Sequence, residues 1–211
     1  MTEDQVYLEP KKGAAVEIVI KRSRFIGHLE IARSTEDARK FIRTISKEHA
    51  NATHNCWAYR VGVDLLRGEH YSDAGEPSGT AGKPILGEIA RAGLTNTAIV
   101  VTRYFGGVKL GVRGLIEAYS LSAKEAIKAA GTVKRIKSRK IKIEVPYDKQ
   151  SLIYSRFRSM GVEESMWEAH YGEKVLLLGH IPLSLVKEAE EMLISYAGQG
   201  WVVRWEWVID R

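Results

Sequence analysis

Apolar and polar positions change period several times along the chain, and each change marks an element. Residues 14–20 (AAVEIVI) and 24–32 (RFIGHLEIA) are apolar-rich and predict two strands joined by a basic turn at Lys21-Arg22-Ser23. Residues 6–8 predict a short edge strand after a polar lead-in. Ser34-Thr35-Glu36-Asp37 supplies a hydroxyl cap and first-turn acids. Ala38, Phe41, Ile42 and Ile45 then recur at helical spacing, so a helix is expected to end near residues 49–50. Residues 53–63 alternate, with His54, Cys56, Ala58 and Arg60 on one side of a strand and Asn55, Trp57, Tyr59 and Val61 on the other. Residues 85–90 read as helix, 98–102 as strand, and 115–130 as a long helix closed by Gly131.

Gly131 sets the expected domain boundary, giving residues 1–132 and 133–211. In the second part, a strand over 136–145 closed by Pro146 is followed by a helix over 148–160 ending at Gly161. Residues 162–171 and 174–181 form a hairpin through Gly172-Glu173, then come a helix over 182–196 and a strand over 201–209. The order βαββαβ is the ferredoxin-like arrangement. On its first strand Ile141, Ile143 and Val145 oppose Lys140, Lys142 and Glu144. On its last strand Trp201, Val203, Trp205, Trp207 and Ile209 make one apolar face, which the core should claim, so base stacking is not expected there.

Composition narrows the class. The 211 residues are 45% hydrophobic and 27% charged, ordinary for a globular protein. The acidic first residues lack an apolar core and no run is long enough to span a membrane, so neither a signal peptide nor membrane association is expected. A single cysteine fits a reducing compartment, and a cytoplasmic location is expected. The net charge of +6 favours polyanions, but the basicity is local: the stretch 134–142 (KRIKSRKIK) holds six bases and no acid.

Ten of the 19 glycines lie between Gly68 and Gly114. They build two glycine-rich turns, 73–84 and 103–114, each running into a helix. Such turns either serve tight packing or present free N–H groups and a positive helix end to an anion. Lys83, Arg103, Lys109 and Arg113 stand within or beside them and favour the anion, phosphate first. Gly106, Gly107, Gly111 and Gly114 would let a phosphate approach the backbone. Lys134, Arg135, Lys137, Arg139, Lys140 and Lys142 would extend the footprint or form a solvated face. Neither turn has P-loop spacing, since Pro84 stands where a Mg²⁺-binding hydroxyl would be, and no G-x-G-x-x-G is followed by a suitable acid. Asp73 and Glu76 are the weak catalytic candidates, as an acid/base pair or divalent-ion ligands; the alternative is that Asp73 caps the turn and Glu76 pairs with a base. His54, Cys56 and His70 lack metal-site spacing, so no metal and no cofactor is expected, and Cys56 reads as buried and structural.

The two turns, with Ser23-Arg24-Phe25-Ile26-Gly27 and residues 52–60 (ATHNCWAYR), resemble the IMPACT/YigZ family over nearly the whole chain. Its pattern matches at Asp73, Gly75, Glu76, Pro77, Gly79, Thr80, Gly82, Lys83 and Pro84. It matches again at 103–107, 109–111 and Gly114; Ala74 and Val112-Arg113 depart from it, the latter adding a positive charge. The resemblance implies an α+β protein. The N-terminal domain would be an α/β sandwich, helices packed on one sheet, like the second domain of small-subunit ribosomal protein five and elongation factor G domain IV. The C-terminal domain would be like elongation factor G domain V. Eukaryotic members act in translational control through an added N-terminal binding domain not found in these residues, so their partner is not expected to carry over. The resulting expectation is a non-catalytic RNA- or ribosome-binding regulator of translation, with a protein of that machinery as a second candidate partner and its oligomeric state open. Two alternatives stand beside it: an enzyme acting on a small phosphorylated or nucleotide substrate, and a protein-interaction adaptor.

Overall fold

The structure is a computed structural model that describes residues 6–63 and 67–208. The chain divides into two compact units, one of residues Tyr7–Arg135 and one that begins at Ile136 and includes Val6. The architecture is α+β, with several sheets and five α-helices among the described residues. No helix there is long and apolar enough to cross a membrane.

The first unit is built on a five-stranded sheet in the order β2-β3-β6-β4-β5, with every neighbouring pair antiparallel. Its strands are β2 (Ala14–Ile20), β3 (Ser23–Ile31), β4 (His54–Val61), β5 (Gly68–Ser72) and β6 (Thr97–Tyr104). β1 (Val6–Pro10) pairs with β7 (Thr132–Ile136) in a separate two-stranded sheet. Helices cover both faces of the large sheet. On one face α1 (Thr35–Glu48), started by a Ser34–Asp37 capping box, lays Ala38, Ile42 and Ile45 on Tyr59, Val61, Ala98 and Val100. On the other, α2 (Gly82–Arg91) and α3 (Gly111–Ala130) pack Ile85, Ile89, Tyr119 and Ala123 on Phe25, Cys56, Ile99 and Val101. β6 is therefore apolar on both sides, and burying each of its large side chains contributes about 1.5–3 kcal/mol. The β2–β3 turn holds Lys21 and Arg22 at φ of 44° and 69°, the left-handed pair of a type I′ two-residue hairpin.

The second unit contains β8 (Ser138–Val145), α4 (Gln150–Ser159), β9 (Trp167–Tyr171), β10 (Val175–Pro182), α5 (Val186–Gly198) and β11 (Arg204–Trp207). Its sheet order is β11-β8-β10-β9, all antiparallel, which is the ferredoxin-like topology. Ile141, Ile143, Val145, Ile153, Phe157 and Leu193 are fully buried in its core.

Several boundaries differ from expectation. The strand over 136–145 is interrupted at Lys137, which divides the basic run between β7 and β8. Short 3-10 turns precede α4 and α5 and occupy Glu164–Met166 before β9. The last strand is short because Trp201 and Val202 donate their N–H groups to Tyr196 O, closing the end of α5 before β11 begins. Val202 is buried and Val203 is 44% exposed, so the expected apolar face is made by Trp205 and Trp207 alone on β11, with Trp201 packed just ahead of it. Ile209 lies outside the described residues.

Candidate functional site

The two glycine-rich turns have different fates. In the first, the Asp73 carboxylate reaches the amino terminus of α2. Its Oδ2 accepts from Gly79 N at 2.8 Å, and its Oδ1 from Ala81 N at 3.0 Å and Gly82 N at 2.8 Å. Burial alone would raise this carboxyl's pKa; the three N–H donors outweigh it and hold the group below its usual range. The N–H groups that would cradle an external phosphate are thus satisfied from within the chain. Gly82 is required there by close approach, since a Cβ would stand 2.7 Å from the Ser72 carbonyl. Lys83 is exposed beside a depression between α2 and α3 that includes Gly87, Ile116 and Ser120.

Glu76 and Arg103 meet under that turn as a buried ion pair. Their side chains are 4% and 6% exposed, and Arg103 Nη1 donates to Glu76 Oε1 at 2.6 Å. The guanidinium lies between the Phe25 and Phe105 rings, 5.5 and 5.4 Å from their centroids. Its Nη2 is 3.4 Å from Ser23 Oγ, and its Nε is buried without a hydrogen-bond partner. Tyr119 O–H donates to the same Glu76 oxygen at 2.9 Å. Arg103, expected as an outward phosphate contact, is therefore an interior residue: β6 pairs it with His54 and Phe25 on the sheet face that α2 and α3 cover.

His54 and Cys56 complete the cluster. His54 Nδ1 lies 2.9 Å from Ala74 O, and a carbonyl only accepts, so Nδ1 carries the hydrogen. In the neutral ring the Nε2 lone pair then faces Glu76 Oε2 at 3.9 Å. Cys56 donates to Asp73 O at 2.8 Å. Burial pushes its thiol up to about 12, so it is not a thiolate nucleophile. The Tyr119 hydroxyl is pushed up too, by burial first and by Cys56 and Glu76 next. His70 pairs with Tyr59 across β5 and β4 and its ring lies tilted against the Tyr59 ring at 5.4 Å, on the opposite sheet face from Cys56. No group of three metal-ligating side chains occurs among the described residues.

Above this cluster opens a pocket of about 380 Å³. Glu76, His54 and Arg103 contribute to its floor, Phe105 and Leu115 to its apolar walls, and Lys109 also lines it. The second glycine turn forms one side. Gly106 serves packing there: a Cβ would lie 2.0 Å from Arg22 O, so only glycine lets the loop rest on the β2–β3 turn. Gly107 and Gly111 take positive φ in open space. The helix begins at Gly111, earlier than expected, so Arg113 and Gly114 lie in its first turn. Arg113, 93% exposed, pairs with Glu117 at 2.9 Å. Where Asp73 fills the start of α2, the start of α3 has no side-chain cap. Lys109 is exposed next to it, with no side-chain partner among the described residues.

The second basic stretch is not one stripe. Arg135 donates to the fully buried Glu9 at 2.7 Å, where Arg33 and Asn96 also converge. Arg139 lies over the Trp207 ring at 4.7 Å, and Lys142 pairs with Glu206 at 3.7 Å. Lys134 is exposed on β7; Lys137 and Lys140 are half-buried, Lys137 between the two strands and Lys140 on β8. Sequence reading missed as parts of the site Tyr119 and Ser23, and Leu110, which also lines the pocket. The helical spacing of Leu115, Ala118 and Tyr119 carried the signal for Tyr119, whose hydroxyl needs a partner when buried.

The model of the Impact N-terminal domain matches residues 21–127. IMPACT family member YvyE of Bacillus subtilis is 41% identical over 172 residues, which covers 80% of this chain and 76% of that protein. IMPACT family member YigZ of Escherichia coli is 30% identical over 192 residues, 90% of this chain and 93% of its own. A crystal structure described as a hypothetical protein superposes with a TM-score of 0.69 at 28% identity, covering 98% of this chain and 99% of that one. The domain match encloses the pocket and both glycine turns, and with these relatives it shows that the chain belongs to the IMPACT family.

Proposed function

We propose that the protein is a non-catalytic, RNA-binding component of translational control, and that it meets RNA, free or exposed on the ribosome, with the β6–α3 loop and the start of α3. The single observation that carries this reading is the contrast between the two helix starts. That of α2 is filled by Asp73, whereas that of α3 is uncapped, with Lys109 and Arg113 exposed beside it and Phe105 46% exposed next to both. A free helix amino terminus with two bases suits phosphate, and an exposed aromatic ring suits an unstacked base. The non-catalytic part is supported by what the two acids already do: Asp73 caps a helix and Glu76 is held against Arg103. The link to translation rests on family membership, since the family's eukaryotic members act there.

The test is binding of ribosomes and of a labelled single-stranded RNA across a salt series, with wild type and a Lys109→Ala, Arg113→Ala double variant. Both side chains are exposed, so the variant is expected to fold. Log affinity should fall linearly with log salt, with a slope of about 0.7 per phosphate contacted, so the variant, lacking two contacts, should lose about 1.4 units of slope. Salt-independent binding, or a variant that binds like wild type, would overturn the assignment.

A further inference from the structure

Resting on the reading of this surface as an RNA site, we infer that the pocket receives one base of a single strand and selects bases that carry an exocyclic amino group. Its volume of about 380 Å³ is at the size of small-ligand sites and suits one extruded base rather than a duplex. The selectivity comes from the floor, where two hydrogen-bond acceptors face the pocket with no donor between them. Glu76 Oε1 takes both Arg103 Nη1 and Tyr119 O–H, which leaves Oε2 without a donor among the described residues although the side chain is only 4% exposed. In the neutral ring His54 gives its Nδ1 hydrogen to Ala74 O, which leaves the Nε2 lone pair 3.9 Å from that oxygen.

Two acceptors at that separation suit the two hydrogens of one planar amino nitrogen. An oxo group in the same place would set a third lone pair against them and leave the buried Glu76 oxygen and the half-buried His54 nitrogen unpaired, the situation in which polar sites discriminate. A cationic amine is disfavoured, because Arg103 already neutralises Glu76 and Lys109 lies at the opening. A neutral base that brings its own phosphate satisfies both ends: the amino group meets the floor, the ring lies along Phe105, and the phosphate meets Lys109 and the start of α3.

Cytosine and uracil exchange amino for oxo at one ring carbon, which makes them the discriminating pair. Affinities of the full chain for ten-nucleotide oligo(C) and oligo(U) would be measured at one salt concentration for wild type, His54→Leu and Phe105→Ala, each checked by circular dichroism. His54 is partly exposed and Phe105 is 46% exposed, so both variants are expected to fold. The expected result is oligo(C) binding at least about tenfold tighter than oligo(U). His54→Leu should abolish that ratio while keeping the salt slope, and Phe105→Ala should weaken both oligonucleotides. Equal, salt-dependent binding of the two by wild type would overturn base selection and leave RNA binding standing. A preference for oligo(C) that survives His54→Leu would overturn the assignment to this pocket. Binding of neither would overturn both readings.

Discussion

Replacing Arg103 by alanine isolates the feature that most changes how the glycine-rich region is understood. The substitution leaves the Glu76 carboxylate inside the first unit, its side chain 4% exposed, with Tyr119 O–H as its remaining donor. Removing one member of a buried ion pair costs about 3–5 kcal/mol, because the other charge stays uncompensated. Loss of the guanidinium between the Phe25 and Phe105 rings falls within that figure. Set against a typical domain stability of about 5–15 kcal/mol, this is a large fraction, and a fall in melting temperature of roughly 10 °C or more is expected. A variant carrying both Arg103→Met and Glu76→Leu should recover most of the loss, since exchanging a whole buried pair for apolar groups is often close to neutral. Cys56 is the chain's one cysteine and is fully buried in this unit, so its labelling by a thiol reagent across a urea series reports the unit's opening directly. A cost below about 1 kcal/mol for Arg103→Ala, the value of a surface pair, would refute the buried pair and return Arg103 to the exterior as a phosphate contact.

The same geometry fixes other outcomes. Asp73→Asn should lower stability at pH 7 by about 0.5–2 kcal/mol through the weakened cap. The folded Asp73 carboxyl sits below its ordinary value, so its contribution is present above about pH 4 and is lost as pH falls through the depressed value; the stability gap between wild type and variant should narrow steadily as an acid unfolding series is extended below about pH 4. Glu9, depressed by Arg135, Asn96 and Arg33 against the effect of burial, should add to the same acid loss, which Glu9→Gln would reduce. Cys56, with its thiol pushed up to about 12, should resist alkylation at pH 8 in the folded protein and react at an ordinary rate in denaturant. Gly106→Ala places a methyl 2.0 Å from Arg22 O, backbone against backbone, and should cost more than Gly107→Ala, where only the φ of 85° is strained; paired melting curves decide it.

Much of the fold was legible because the relevant forces are local. The β-branched run 14–20 forms β2 over those very residues, and Ser34 starts α1 through the box with Asp37 that its spacing allows. The alternation over 53–63 sorted Cys56 and Ala58 from Trp57 and Tyr59, and the two groups lie in different cores. The second unit's topology followed from element order, because few arrangements of βαββαβ bury one face. What escaped notice depends on distant partners. β5 has the sequence GEHYS, a polar edge strand with no apolar period, and it exists because β4 offers it hydrogen bonds. α3 starts at Gly111 behind Leu110, with no capping side chain to announce it. A string of charges shows how many bases are present, but not that Arg103 finds Glu76 27 positions away or that Arg135 finds Glu9. For the same reason Lys109 and Arg113 stay exposed while their neighbour in the motif is buried.

Photocrosslinking would locate where RNA meets this chain and decide whether it does so at the β6–α3 loop. A single-stranded oligonucleotide would be crosslinked to the full chain with ultraviolet light and the modified residues mapped by mass spectrometry. Crosslinks are expected at Phe105 and its neighbours in the loop, suppressed in the Lys109→Ala, Arg113→Ala variant. Crosslinks confined to residues 134–142, with none between 103 and 115, would contradict it.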